Sequence, residues 1–451
     1  MDPKVFREYD IRGIANKDIT LQDVLDIGKA YGSLLRKENK KTVVIGQDCR
    51  KSSKQFADFF IKGILSTGCD IFDIGICPSP VLYFAIHHLN LDGGAMITAS
   101  HNPPEYNGFK LMNKQDSIHS EGLQKIRIMI ENNDYTNGNG KYIKKDVLKD
   151  YTNNIINNIN IKNKIRIGVD AGNGTGGITA LPVLKALGCD VYDIYCDMDG
   201  SFPNHEADPT QKKNLKDLIK LVKENKLDLG VGYDGDADRI GVIDETGEII
   251  YGDQLIIIYA REILTRKPKA TFISEVKCSM VMYDEIKKHG GNAIMWRTGH
   301  SLIKKKMKEE NAQLAGEMSG HMFFKDRYLG FDDALYATCR LLEIMDATNK
   351  KPGQLIADIP KTYTTPELRI DCSDDIKFDV VKKMVNYFKS KQKKLIDIDG
   401  LRALYDDGWG LVRASNTQPA LVLRFEALNK KSLTKIRYEI ESTLNNILKS
   451  Y

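Results

Sequence analysis

A hydroxyl, an imidazole and an ammonium fall on one short stretch of this chain. Ser100, His101 and Asn102 follow a small apolar run, residues 95–99, and precede Pro103 and Pro104. A strand cannot continue through two prolines, and the residue before a proline is held extended. The chain therefore leaves its sheet here with Ser100 and His101 at the edge. Asn107 and Gly108 read as a turn that returns the chain toward Lys110. A serine so placed suits receiving or donating a phosphoryl group, with cations to balance it. Downstream, Asp234, Asp236 and Asp238 alternate directly after an apolar strand. Three carboxylates converge only around a cation, and a hard cation that leaves positions open for phosphate oxygens suits Mg²⁺. An EF-hand loop is excluded because Arg239 stands where glycine is required and the flanks are strand-like; a solvated acidic turn is the plain alternative. Arg413, Ser415, Asn416 and Thr417, ahead of Pro419, offer a guanidinium, two hydroxyls and an amide to a phosphate. A simple strand-to-turn connection is the alternative there.

The elements that must position these groups read as α/β units. Residues 5–14 suggest a strand running into a turn at Gly13. Thr20 and Asp23 form a capping-box pattern opening an amphipathic helix to about Leu35. Residues 42–48, 165–170 and 229–234 are apolar strands that each end in Asp (Asp48, Asp170, Asp234), separated by helical patterns. That alternation predicts parallel α/β units with functional loops at the carboxyl ends of strands. It hints at duplication, too faintly to establish a repeat. Residues 132–141 read as a loop, and His87 and His88 as ordinary members of a helix that follows Pro78 and Pro80. Beyond Thr364, Thr365 and Pro366, a plausible hinge, short strands framed by two helices predict an α+β domain with an antiparallel sheet. The glycine-rich run 170–177 would serve a nucleotide-dependent sugar kinase, but it fits neither common phosphate-loop fingerprint and reads better as a close-packed turn.

Bulk properties narrow the class. The chain has 451 residues, 42% hydrophobic and 28% charged, with a net charge of +5. That describes a globular protein with large cores and, from length alone, about three domains. The basic residues are scattered, which gives no footprint for nucleic acid; Lys304, Lys305 and Lys306 read as a solvated helix face. No apolar run is long enough to cross a bilayer and no signal peptide is evident, so the expectation is a cytoplasmic protein. Eight dispersed cysteines without a Cys-x-x-Cys pair predict buried free thiols rather than disulfides or zinc.

The run from Thr98 to Lys110 resembles the phosphoserine loop of the α-D-phosphohexomutases, with Ser100 at the phosphorylated position and His101 and Lys110 as its neighbours. Residues 232–239 resemble that family's metal loop, in which three Asp side chains and the phosphoserine share one Mg²⁺. Glu317, Met318, Ser319, Gly320 and His321 resemble its sugar-binding loop, and Arg413, Ala414, Ser415, Asn416 and Thr417 its distal phosphate loop. Two further runs match: Tyr9 to Gly13, containing Arg12, and Arg297 to Ser301, containing His300, with Lys277 upstream. The matches fall in order from Tyr9 to Thr417 and lie nearest the bacterial phosphomannomutase/phosphoglucomutase branch.

The resemblance implies three related α/β domains with mixed sheets (1–146, 147–249, 250–363) and a C-terminal α+β domain (364–451) around a central cleft. It implies a phosphohexomutase that interconverts hexose 1- and 6-phosphates of mannose or glucose through phospho-Ser100 and a hexose 1,6-bisphosphate. Mg²⁺ would sit on Ser100, Asp234, Asp236 and Asp238. Arg12, Lys110 and Arg239 would supply cationic support, and Lys110, His101 or His300 the proton transfer. Tyr9, Lys277, His300 and residues 317–321 and 413–417 would bind substrate. A monomer acting on small sugar phosphates, without nucleic acid or membrane, is expected. The alternatives are a phosphoglucosamine mutase, a sugar kinase, and a catalytically silent sugar-phosphate-binding protein.

Overall fold

The computed structural model describes residues 1–416 and 418–451. Three mixed sheets follow one plan. In the first, Thr42–Gln47, Asp70–Ile76, Gly93–Ile97 and Tyr142–Lys144 run parallel, and Tyr106–Asn113 returns antiparallel against Gly93–Ile97, with Ile11–Ile14 outside it. In the second, Arg166–Asp170, Asp190–Ile194 and Leu229–Tyr233 are parallel and Ile240–Ile243 returns antiparallel. In the third, Thr271–Glu275, Asn292–Trp296 and Leu314–Gly316 are parallel and Met322–Phe324 returns. The connection between the last parallel strand and its antiparallel return carries Ser100 in the first sheet, the Asp trio in the second and residues 317–321 in the third. The same topological loop is thus used three times, and this gives the faint internal repeat its physical content.

The fourth sheet is antiparallel, with Leu395–Ile396, Leu401–Tyr405, Gly408–Ala414 and Ala420–Ala427 in sequence, and Leu368–Asp371 pairing Ala420–Ala427. Helices Lys377–Ser390 and Lys430–Leu448 bury Val380, Met384, Phe388, Ile436, Ile440 and Leu444 against one face. A spacing of four residues puts those side chains on one stripe of each helix. The loop before Ala420–Ala427 carries the distal phosphate motif.

The cores do not respect the division into sheets. One face of the first sheet packs on helices Leu21–Lys37 and Ser53–Leu65 in a cluster of its own. The other face joins a continuous core that runs through the second and third sheets. Helix Ser79–His88 makes that junction; it buries Ser79 through Ile86 without a polar stripe, as expected of a helix enclosed on all sides.

Local structure departs from the sequence expectations in three places. Asn107 and Gly108 are not a turn but the start of strand Tyr106–Asn113, where Gly108 pairs with Arg12; the turn is completed earlier, by the two prolines. The strand near the N-terminus is shorter than 5–14, spans Ile11–Ile14, and includes Gly13 in the ladder. Lys304 is buried, not solvated, because its Nζ lies 3.1 Å from Asp332 Oδ1 and over the Tyr83 ring. The capping box at Thr20 and Asp23 is formed. Seven of the eight cysteines are buried and all are free.

Candidate active site

Ser100 begins the loop that leaves Gly93–Ile97. Its φ is +52°, in the left-handed region, and the side chain is buried. Its backbone N–H donates to Thr98 Oγ1 at 2.8 Å, which holds the turn. Ser100 Oγ donates to Asp234 Oδ2 at 2.7 Å and lies 3.2 Å from His101 Nδ1. The metal loop can press this close because residue 235 is glycine: a Cβ there would meet the Ser100 carbonyl oxygen at 2.4 Å.

Asp234, Asp236 and Asp238 are fully buried, so they are not a solvated turn. Their carboxylate oxygens lie within 4.8 Å of one another. Asp234 Oδ1 accepts from the Asp238 and Arg239 amides, both at 3.0 Å. Lys110 Nζ donates to Asp236 and Asp238, each at 2.5 Å, and Ser79 Oγ donates to Asp236. Asp236 Oδ1 and Asp238 Oδ1 still have no hydrogen-bond partner. Buried carboxylate oxygens without donors are costly, and hard oxygen ligands in this number fit Mg²⁺ or a similar cation. Burial and the charges of Asp238 and Asp236 push the Asp234 carboxyl well above the usual range. Burial works against ionisation of Asp236 too, but Lys110 overrides it and holds that carboxyl below the usual range.

The glycine-rich run at 170–177 supports this loop instead of cradling a nucleotide. Thr175 donates to the Gly235 carbonyl through its amide at 3.0 Å and its hydroxyl at 3.2 Å, and Gly174 N–H is taken by Ala171 O.

Residues 317–321 sit directly beside the loop of the Asp trio. An isolated antiparallel bridge joins Arg239 to His321, and the Ile240 amide donates to Gly320 O at 3.1 Å. Arg239 Nε donates to His321 Nε2 at 3.0 Å, leaving the imidazole proton on Nδ1, 3.2 Å from Asp332 Oδ2. His300 stacks on His321 and lies 3.9 Å from the same Asp332 oxygen. Burial lowers the basicity of both His101 and His300 well below normal, with Arg239 and Arg12 adding to it at His101 and Lys304 at His300. Both rings are therefore neutral near pH 7. Glu317 Oε1 accepts from the Gly299 amide at 2.7 Å, and Ser319 Oγ donates to Glu317 Oε2 at 3.4 Å. Met318 touches the Arg424 guanidinium.

Three sheets meet at Tyr9. Its hydroxyl donates to Thr298 O at 2.6 Å and accepts from Asn416 Nδ2 at 2.5 Å. Gly299 permits this: a Cβ there would lie 2.4 Å from the Tyr9 ring. Arg12 donates to Asn102 Oδ1 at 2.6 Å and pairs with Asp10. Arg413 Nε donates to Asp399 Oδ2 at 3.0 Å. Ala414 ends its strand, Ser415 Oγ accepts from the Gln418 amide, and Lys277 Nζ lies 3.2 Å from Glu367. Thr417 lies outside the described residues. The structure thus gathers the serine loop, the metal loop and the reader loop, with the distal phosphate loop reaching them through Tyr9. Sequence reasoning missed Ser79, Asp332 and Asp399, which reach the site from elements carrying no local motif.

Comparison with known proteins agrees with this geometry. Family models described as "Phosphoglucomutase/phosphomannomutase, alpha/beta/alpha domain" I, II and III match residues 3–137, 149–247 and 251–363, and the model of the C-terminal domain matches 367–442. A phosphomannomutase/phosphoglucomutase of Pseudomonas aeruginosa is 42% identical over 98% of this chain and 96% of its own. A phosphoglucomutase of Neisseria meningitidis is 40% identical over 98% and 97%. The crystal structure of a phosphoglucomutase/phosphomannomutase family protein from Burkholderia thailandensis superposes with a TM-score of 0.93 at 38% identity, covering 98% of this chain and 97% of that one.

Proposed function

Because the chain belongs to the phosphoglucomutase/phosphomannomutase family, we propose that it interconverts the 1- and 6-phosphates of glucose and mannose through a phosphoryl group carried on Ser100. The observation that carries this reading is the buried contact of Ser100 Oγ with Asp234, one member of a carboxylate trio with two unpartnered oxygens. Phospho-Ser100 gives its phosphoryl group to the free hydroxyl of a bound hexose phosphate. The resulting hexose 1,6-bisphosphate reorients and returns its other phosphoryl group to the Ser100 oxygen. The P–O bond to one oxygen breaks as the bond to the other forms.

Ser100, Asp234, Asp236 and Asp238 would hold Mg²⁺, which when bound supplies charge stabilisation to the transferring group. Lys110, Arg12 and Arg239 surround the serine with positive charge. His101, 3.2 Å from the serine oxygen, His300 and Lys110 are the candidates to move the proton of the attacking hydroxyl. Glu317 and Ser319 accept and donate to the sugar's 3- and 4-hydroxyls. Arg413, Ser415, Asn416 and Thr417 bind the non-reacting phosphate, whose binding energy orients the reacting hydroxyl.

Mutase assays on glucose 1-phosphate and mannose 1-phosphate with Mg²⁺ and trace hexose 1,6-bisphosphate test the reading. Turnover without any nucleotide, abolished by EDTA, is expected. Saturable binding without turnover would leave a silent binding protein, and a requirement for a nucleotide would restore the kinase alternative.

A further inference from the structure

The loop that carries Ser100 has few bonds of its own. Between Ile97 and Tyr106 it makes short-range turn contacts, such as Asn102 N–H to Ala99 O at 3.0 Å and Tyr106 N–H to Pro103 O at 3.1 Å. Glu105 O accepts from the Ala15 amide at 2.9 Å. Four other carbonyls, the last of them at the start of strand Tyr106–Asn113, are taken up by one side chain on another element, Arg50, which follows the end of strand Thr42–Gln47.

Arg50 is 2% exposed. Its Nη2 donates to Ser100 O at 2.8 Å and Asn102 O at 2.7 Å, and its Nη1 to Pro103 O at 2.6 Å and Tyr106 O at 3.2 Å. Its Nε donates to Asp48 Oδ2 at 3.0 Å. All five guanidinium N–H bonds are therefore used, four of them on the serine loop. Asp48 is fixed in turn: its Oδ1 accepts from the Arg50 amide at 3.0 Å and from Ser53 Oγ at 2.5 Å. The Phe202 ring, contributed by the second α/β unit, covers the guanidinium with its centroid 5.0 Å away.

We infer that Arg50 is a positioning residue of the phosphoryl-transfer reaction: it clamps the serine loop through four carbonyls and holds Ser100 Oγ at its distance from Asp234. The inference rests on the function proposed above. The physical reason is geometric. Ser100 sits in a left-handed conformation that an L-residue adopts at a cost, on a loop tethered at both ends to strands. A planar fork with five fixed donors pins four acceptors at once, whereas an ammonium has three freely rotating donors and cannot reproduce that pattern. Arg50 touches the serine loop only through backbone carbonyls and is itself buried, so it contributes nothing to substrate affinity directly. Loosening it allows the serine oxygen to wander, and an error of about 1 Å at a reacting atom costs on the order of 10²-fold in rate.

The test is Arg50→Lys, which keeps the charge. The expected result is a kcat lowered roughly 10- to 100-fold, a KM for glucose 1-phosphate within about twofold of the wild type, and faster amide hydrogen exchange confined to residues 99–106. Wild-type kcat, or unchanged exchange in that segment, overturns the inference. So does a rise in KM at constant kcat. If Arg50→Lys does not fold, Phe202→Ala removes the cover while leaving the hydrogen bonds, and a smaller change with the same kcat-only signature is expected; an unaltered kcat there counts equally against it. Wild-type enzyme is assayed alongside. A wild type without mutase activity defeats the proposed function, while the exchange measurement still decides whether Arg50 holds the loop.

Discussion

Ser100 Oγ is 2.7 Å from Asp234 and 3.2 Å from a neutral imidazole, a place that suits a phosphoryl carrier and little else. Ser100→Ala removes the covalent route, and turnover should fall by roughly 10³-fold or more with the fold intact. A Ser100→Ala enzyme with full activity and a native circular dichroism spectrum would contradict the phosphoserine reading. Substrate choice is decided at the same scale. On the proposed reading, Glu317 and Ser319 grip the 3- and 4-hydroxyls, which glucose and mannose share while differing in configuration at C2. Comparable kcat/KM on the two sugars follows. An amine at C2 gains no dedicated acceptor, and a missing partner is worth about 1–3 kcal/mol, so glucosamine 1-phosphate should be slower by roughly tenfold or more. Competition assays decide it; a higher kcat/KM on glucosamine 1-phosphate would place the chain with the glucosamine enzymes. The residues legible in the sequence were those that stand together in it. Ser100 with His101 and the alternating Asp trio stand together because each set occupies one loop, whereas residues 317–321 stood out only through their resemblance to the family's sugar-binding loop. Arg50, Ser79, Asp332 and Asp399 act on the same site from other loops and helices, and a lone Arg or Asp carries no spacing signal.

At the scale of elements, the apolar strands ending in Asp foretold the parallel sheets. What stayed hidden were consequences of pairing. Asn107 and Gly108 have turn chemistry, but once Pro103 and Pro104 have turned the chain, the ladder with Ile11–Ile14 claims both residues. Lys304 has the composition of a solvated face, yet Asp332 across the fold draws it inside. Asp333 shows the same long-range logic and yields a pH prediction. It caps helix Ala334–Thr348 by accepting from the Tyr336 amide at 2.9 Å, and it also accepts from Tyr151 and Tyr328 hydroxyls. Burial nonetheless pushes its carboxyl up from 3.8 to about 6. The folded state therefore holds the proton over a range in which the unfolded chain has already lost it. Its contribution to stability is fully present below about pH 4 and is lost as pH rises through 6, a change on the order of 3 kcal/mol. Asp333→Asn keeps a good cap and removes the titration. Thermal unfolding from pH 4 to 7 should show the wild type losing stability relative to Asp333→Asn as pH rises; a constant difference between the two would show that the carboxyl does not titrate in this window.

At the scale of the molecule, the C-terminal sheet is held unequally by its neighbours. Against the third unit it is seated firmly: Trp409 and Leu411 bury with Val276, and Arg402 stacks on the Trp409 ring at 3.7 Å while donating to the carbonyls of Val276 and Cys278. Against the first unit it rests on the Asn416–Tyr9 hydrogen bond, beside an open cleft of about 920 Å³ whose walls include Phe6 and Ile128 on one side and Phe378 on the other. A body fixed on one side and lightly latched on the other swings about the fixed side, and Thr364 to Pro366 lie where the chain enters it. On this expectation, opening would admit the sugar phosphate, and closing would exclude water and protect the phosphoryl group from hydrolysis. Tyr9 is the latch, since its hydroxyl joins Asn416 to Thr298 O. Tyr9→Phe keeps the ring against Gly299 and His300 but breaks both bonds. Each is worth about 1 kcal/mol net, so the open state gains population and KM for glucose 1-phosphate should rise by roughly tenfold. Small-angle scattering should find the unliganded variant larger than the wild type, with saturating hexose phosphate returning it to wild-type dimensions through the phosphate at Arg413. Identical scattering for both proteins, with and without ligand, together with an unchanged KM, would mean that Tyr9 is not the latch and that the C-terminal sheet does not swing.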